Sequence, residues 1–438
     1  MCRSVLKQTI KKRAFYLPVI KYFGYICSES VCLWFSSPAI KRESGANPGQ
    51  SRCCKVSRQT FQRTPSATDY FPLYRGRSGR RFEMETESEY LPFIVFLCYS
   101  WDRAKRSITN YQKRVNMGKV FPPFKIDIAG ALCVPSALRD ARSRYRDGQI
   151  SLQTLRAVED AEIRNLTERL KSAGMKVATD GGFRSYDFLE GWEGIRRKTN
   201  TALSSGEELE VTGRIGLLHH PIIDDFVFLV ENSTEEVLPK QHMPSPGKLL
   251  MRILRETESG CLKSVYPDLN VLLDDLSAAY KKLLEGLYGA GCRYVQFEGV
   301  KAMLTDEAAR LNNRVLRERP EGLFVAFHAA TDMLVRLQGA DAYFLNYDCG
   351  ICDRSRLLWF VREREAVFGF VLSYYPDEDE LDELQAKIEE VLNYIPAKRL
   401  TLCLPDAAGM LGSSDADETR QWKAVELAKD MADRVFPV

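Results

Sequence analysis

The sequence predicts an α/β protein, a (β/α)8 TIM barrel over residues 120–438 behind a basic N-terminal extension of residues 1–119. Two observations carry this. Eight short apolar runs follow one another between about residue 126 and residue 405, most of them separated by helical pattern. None of the runs alternates polar with apolar, which marks strands buried on both faces, as in parallel sheets. Eight βα units in one domain-sized stretch close most simply into a barrel.

The runs are Ile126–Leu132, Val177–Phe183, Val237–Gln241, Tyr294–Val300, Leu323–Ala330, Ala342–Asp348, Ala366–Ser373 and Arg399–Pro405. Pro122-Pro123 precedes the first, and Ser136 is the expected N-cap of the helix after it. Ser151 opens a longer helix to about Ser172, with Leu152, Leu155, Val158, Ile163, Leu166 and Leu170 near a 3.6-residue period and Gly174 as its stop. The second strand ends in Thr179-Asp180-Gly181-Gly182, where paired glycines permit a sharp turn or close approach to a ligand. Residues 184–236 form an insertion of lid or cap type. The third strand leads into a rigid Met243-Pro244-Ser245-Pro246 loop. Further helices are expected over Leu269–Ala290, from Thr305, over Glu378–Tyr394 and over Glu418–Val435.

Charge is unevenly spread. The net value is only +3. Residues 1–82 hold 16 Lys/Arg against 3 Asp/Glu, whereas 83–438 hold 46 against 56. The barrel is therefore acidic, which argues against nucleic acid and for a small-molecule partner. The basic arm reads as disordered, as a mis-predicted coding stretch, or as a mitochondrial transit sequence. A cytoplasmic location is the primary expectation and a mitochondrial one the alternative. No run of 18 apolar residues exists, so no membrane partner is expected. Twelve cysteines are scattered with no short-domain framework, a usage that suits a reducing compartment. Cys133, Cys292 and Cys403 fall in or beside apolar runs, as small hydrophobes do. Oligomeric state is not legible.

In a barrel, chemistry sits where strands end. That singles out Asp180, Glu298, His328, Asp348 and Asp406. Glu298, beside the open Gly299, reads as a pocket carboxylate or as the partner of an Arg that closes the mouth. His328 is a general acid/base or a hydrogen-bonded core histidine. Asp348 orients His328 or bonds a turn. Asp180 lines the pocket or caps the next helix, and Asp406 reads as a turn former. His219, His220 and His242 read as loop residues.

Taken together, these residues resemble the C-terminal catalytic barrel of cobalamin-independent methionine synthase, in the uroporphyrinogen-decarboxylase/methionine-synthase-like superfamily. The closer resemblance is to shorter single-barrel methionine-synthase-like proteins. The matching pieces are Ala129-Gly130-Ala131-Leu132, Gly148–Ser151, Ala173-Gly174, Thr179-Asp180-Gly181, Pro244-Ser245-Pro246 and Ala290–Gln296. Phe327-His328, Tyr347-Asp348, Pro405-Asp406 and Gln421-Trp422 complete the set over roughly 120–436.

The resemblance implies methyl transfer from a folate to the homocysteine thiol, activated by zinc on His, two Cys and Glu. Zinc does this by lowering the thiol pKa. Here the histidine is His328, but the first cysteine is Ala330, the glutamate is Asn346, and the second cysteine falls at Ala407 or Ala408. The second-strand acid that holds the substrate amine is Gly182, and the first-strand serine is Ala131. The fourth-strand carboxylate after Gln296 is kept as Glu298. The expectation is a redirected barrel enzyme without a resident cofactor. Its catalytic residues would be His328, Glu298 and Asp348, and its substrate contacts Asp180, Gly182, Gln296 and Ser245. The alternatives are a thiol methyltransferase with zinc rebuilt on His328, Cys349, Cys352 and Cys403, or a catalytically dead binding barrel.

Overall fold

The computed structural model describes residues 121–184, 188–198, 209–299, 305–328, 336–346, 354–372, 375–407 and 414–436. The N-terminal extension expected over 1–119 lies outside the described residues, as do Asp348, Cys349 and Cys352.

All eight apolar runs become strand, and each supplies one position in a curled parallel arrangement. The strands are β1 (Ile126–Ile128), β2 (Val177–Ala178), β5 (Leu238–Pro239), β6 (Gln241–Pro244), β7 (Tyr294–Glu298), β8 (Phe324–His328), β9 (Ala342–Asn346), β10 (Val367–Val371) and β11 (Leu400–Leu404). Seven of them form one sheet in the order β1-β11-β10-β9-β8-β7-β6, every pair parallel. β5 pairs with β2 and runs through Lys240 directly into β6, so the two are one strand with two neighbours. Past the ends of β1 and β2, Leu132 N–H donates to Gly181 O at 3.0 Å. The architecture is consistent with a TIM-like barrel.

Helices fall between the strands where the caps place them. They are α1 (Ser136–Arg146), α2 (Leu152–Ser172), α3 (Pro221–Asn232), α4 (Pro246–Glu256), α5 (Ser259–Val265), α6 (Leu269–Gly289), α7 (Asp306–Arg317), α8 (Arg354–Glu363), α9 (Leu381–Leu392) and α10 (Asp415–Val435). Ser151, Ser245, Thr305 and Ser414 each accept a backbone N–H of the first turn, satisfying a donor that the helix cannot. Several expected boundaries move. Ser136 lies inside α1, with Pro135 in the cap position and no side-chain cap bond, because proline already supplies the extended backbone. The segment from Glu378 starts as a 3-10 turn over Glu378–Glu380 before α9 begins. Pro244 ends strand β6 rather than starting a loop, since a proline tolerates the final strand position.

The insertion after β2 folds as an antiparallel hairpin, β3 (Trp192–Arg197) with β4 (Leu209–Leu217), followed by α3. It lies on the flank of α6, where a lid would have covered the strand ends. Trp192 packs its ring on Tyr280 of α6 with centroids 5.4 Å apart, and Arg214 of β4 donates through Nη2 to Asp275 Oδ1 of α6 at 2.6 Å. The reason is compositional: α6 buries nine residues and needs cover on its outer side.

Inside the ring, Asp127, Lys240 and Tyr294 form a buried layer, each about 1% exposed. Lys240 Nζ donates to Asp127 Oδ1 at 2.7 Å and to Ile128 O at 2.8 Å, and Tyr294 O–H donates to Asp127 Oδ2 at 2.5 Å. The ammonium also sits over the Tyr294 and Phe344 rings at 4.7 and 4.8 Å. Phe344 reaches the interior because Gly369 faces it from β10: any Cβ there would overlap the ring.

Candidate functional site

The C-terminal ends of β7, β8 and β9 place Glu298, His328 and Asn346 side by side, since parallel register aligns Glu298 with His328 and puts Asn346 two residues past the partner of His328. His328 Nε2 lies 3.5 Å from Asn346 Oδ1. Glu298 Oε2 takes Lys248 Nζ of α4 at 3.2 Å. The ladder continues past the strands: Gly299 N–H donates to His328 O at 2.7 Å, and Ser245 N–H to Glu298 O at 2.9 Å. Burial pushes the His328 imidazole below its usual 6.5; the Asn346 amide, Glu298 and Asp406 oppose that shift and Lys240 adds to it. At neutral pH the ring is a neutral donor–acceptor, the form that can take a proton.

The loops across the mouth are stitched to one another. Asp406 Oδ1 accepts from Ala131 N–H at 3.2 Å, and Ala407 N–H donates to Ala131 O at 2.9 Å. Gly130 has no room for a side chain, because a Cβ would overlap the Asp406 backbone. A Cβ on Gly182 would come 3.1 Å from that of Ala131, so the second-strand turn faces the first-strand loop.

Of the remaining sequence candidates, Gln296 joins the interior group directly below Glu298; it is fully buried, and its Nε2 donates to Ala129 O at 2.6 Å. Ser245 is buried as the N-cap of α4, its Oγ accepting from Lys248 N–H at 3.1 Å. Asp180 accepts from Gly182 N–H at 3.0 Å and lies in the field of Arg184 and Glu159. Burial pushes its carboxyl up, against the Gly182 N–H and Arg184. Arg184, 5% exposed, is the hub of that outer group, with Asp160 at 2.7 Å, Asp225 at 3.3 Å and Glu159 at 3.6 Å. Asp180 thus sits at the second-strand turn within the field of the Arg184 group.

Cys403 is fully buried in the Asp127–Lys240 layer, and burial holds its thiol well above 9. Cys133, Cys292 and Cys403 are buried free thiols, and Cys261 is exposed. Among the described residues, no three His, Cys, Asp or Glu side chains converge as a metal-binding group. At the positions that the resemblance assigns to zinc ligands stand an imidazole, an amide and, at Ala407, a methyl group packed with Cys133, Tyr375 and Ala424. That donor set does not fit a zinc ion, which takes thiolate, imidazole or carboxylate.

The sequence reading missed His242. It is not a loop residue: it lies on β6 in register with Gln296, facing the interior with Lys240 and His328 nearby. The two-residue spacing Lys240–His242–Pro244 was the available signal. His220 caps α3, with Nδ1 accepting from Ile222 N–H at 3.1 Å, and His219 pairs with Asp224 at the surface. A cleft of about 640 Å³, lined by Phe121, Lys125, Lys176, Glu235, Lys429 and Asp433, opens at the opposite end, where the strands begin. Among the described residues, no helix is long and apolar enough to cross a membrane.

Fold and mouth together define an α/β protein with a curled parallel seven-stranded sheet, consistent with a TIM-like barrel, and polar side chains gathered where its strands end. Comparison with known proteins narrows that class. The chain is 26% identical over 367 residues to the uncharacterized protein YxjH of Bacillus subtilis (strain 168), covering 72% of this chain and 95% of that one. It is 27% identical over 368 residues to YxjG of the same organism, covering 71% and 95%. Its structural neighbours are cobalamin-independent methionine-synthase-like proteins. A provisionally assigned vitamin-B12-independent methionine synthase from Listeria monocytogenes superposes with a TM-score of 0.60 at 26% identity, over 73% of this chain and all of that one. A B12-independent methionine synthase from Shewanella sp. W3-18-1, solved with selenomethionine, superposes at 0.54 and 16% identity over 71% and 97%, a likeness of fold. No protein-family model matches the chain.

Proposed function

We propose that this chain is a divergent member of the cobalamin-independent methionine-synthase-like group, a closed (β/α)8 barrel enzyme acting on a small metabolite at its C-terminal mouth without the group's zinc. The observation that carries the reading is the pairing of His328 with Asn346, an imidazole facing an amide where a zinc cage would need an acid. Ala407, a methyl group in an apolar cluster, supports it. His328 serves as the proton-transfer group, Glu298 as the charged partner of substrate at the mouth, and Asp348 as an orienting group for His328. A positioned acid/base of this kind contributes on the order of 10²–10⁴ in rate.

The test uses the full chain. Purified protein is analysed for zinc and incubated with a metabolite extract, and the compound that stays bound or is consumed is identified. The expected result is well under one equivalent of zinc, and loss of turnover in both His328→Ala and Glu298→Gln. Stoichiometric zinc with methylation of a thiol would overturn the proposal in favour of a rebuilt metal site. Unchanged turnover in both variants would remove His328 and Glu298 from the chemistry. Retained ligand with no turnover would make the barrel a binding protein.

A further inference from the structure

The proposed chemistry leaves the cleft of about 640 Å³ at the strand-start end without a role. Its walls are the stretch from Phe121 to Ile126 that leads into β1, Ala173–Lys176 leading into β2, and the last turns of α10. Among the described residues, β1 has a ladder with β11 alone and β2 with β5 alone. The facing edges of β1 and β2 therefore carry no ladder where the cleft opens. Native proteins cover such edges with a further piece of chain or with another molecule.

The lining decides what kind of cover fits. Lys125, Lys176 and Lys429 stand against Glu235, Glu236 and Asp433, and Lys125 Nζ lies 3.1 Å from Asp433 Oδ1. Charges of the two signs balance, so neither an anion nor a polycation is drawn there. The floor is apolar, made by Phe124, Ile126, Met175 and Ala432. Phe121 at the rim is 56% exposed. An uncharged, apolar, extended segment suits both the floor and the open edges.

The chain itself carries such a segment. Leu91–Trp101 is eleven residues without a charge, and Phe93-Ile94-Val95-Phe96 within it are all strand formers. It is too short to cross a bilayer, so its apolar surface calls for cover on the protein. Residues 102–120 join it to Phe121, the first residue of the cleft wall. A coil of nineteen residues averages about 22–26 Å end to end, and a tether of that length gives an effective concentration of about millimolar. Any separate partner would have to compete with that.

We propose that Leu91–Trp101 docks in the strand-start cleft in extended form, its apolar side chains on the Phe124 and Met175 floor, and closes the seam between β1 and β2 from below. The occupant is this chain's own segment. The surface lies at the opposite end from the mouth, so the inference is independent of the proposed chemistry.

Hydrogen exchange of the full chain, read by mass spectrometry at several protein concentrations, tests this. Backbone amides of residues 93–99 are expected to exchange at least about tenfold more slowly than free-chain rates. Phe96→Asp in the segment and Phe121→Asp at the exposed rim are each expected to reduce that protection by about tenfold or more. Both are also expected to speed exchange at Lys125–Ile126 and Lys176–Val177. Free-chain rates across residues 93–99 of the wild type would overturn the proposal. Protection that Phe121→Asp leaves intact would do the same, since the segment would then be held elsewhere. Protection that rises with protein concentration would make the occupant a second copy and overturn it too. Phe96→Asp alters no described residue, so its result stands even if Phe121→Asp fails to fold.

Discussion

Lys240 and Asp127, 113 residues apart in the chain, meet inside the barrel with Nζ 2.7 Å from Oδ1 and both side chains almost fully buried. Burial pulls the ammonium below its usual 10.5, and the Asp127 carboxylate opposes that shift. Removing one partner leaves an uncompensated charge, at a cost of about 3–5 kcal/mol. Asp127→Leu or Lys240→Met alone is expected to lower denaturant stability by that amount. The double variant should recover most of the loss, as chemical denaturation of all three proteins will show.

His328→Ala and Glu298→Gln are expected to leave stability nearly intact. The Glu298–Lys248 pair is more than one-third exposed on both sides, and such pairs contribute about 0–1 kcal/mol. The melting temperature checks this, and a large drop in either variant would mark that residue as structural.

Stability should fall as pH drops from 7 toward 5. His328 and His242 are both held below 6.5 by burial, so the unfolded chain takes up protons near 6.5 that the folded chain refuses. Their contribution is therefore complete above about 6.5 and is lost through the window below it. Asp225, raised to about 6 chiefly by burial, acts in the opposite sense: its contribution is present below the unfolded value of 3.8 and is lost as pH rises toward 6. Urea unfolding across this range should show a flatter acid limb in His328→Asn and in His242→Phe, and a steeper one in Asp225→Asn.

Arg184 carries the network beneath α2 and α3. Arg184→Ala leaves Glu159, Asp160 and Asp225 without the cation at the centre of their cluster, and the expected loss is about 3–5 kcal/mol. Hydrogen exchange should place the loosening in α2 and α3 first.

Gly130→Ala is expected to cost about 1–3 kcal/mol through overpacking against Asp406. The measurement is thermal unfolding, together with any chosen probe of the mouth, since the same contact aligns the first and last loops.

The strands were legible because a fully buried strand needs an apolar run of its own, whatever surrounds it. Helix α2 was legible because Ser151 and its apolar period are local signals. Boundaries slipped where two local rules competed, as at Pro135 and Ser136. Chain order alone thus determined an α/β chain of eight apolar runs, the acidic balance of residues 83–438 and the strand-end residues Glu298 and His328. The tertiary structure decided what those residues meet: Asn346 opposite His328, His242 turned inward beside Gln296, Asp180 bonded to Gly182 N–H, and the insertion laid on α6. These depend on register between strands distant in the chain, and a shift of one residue would turn each side chain to the opposite face.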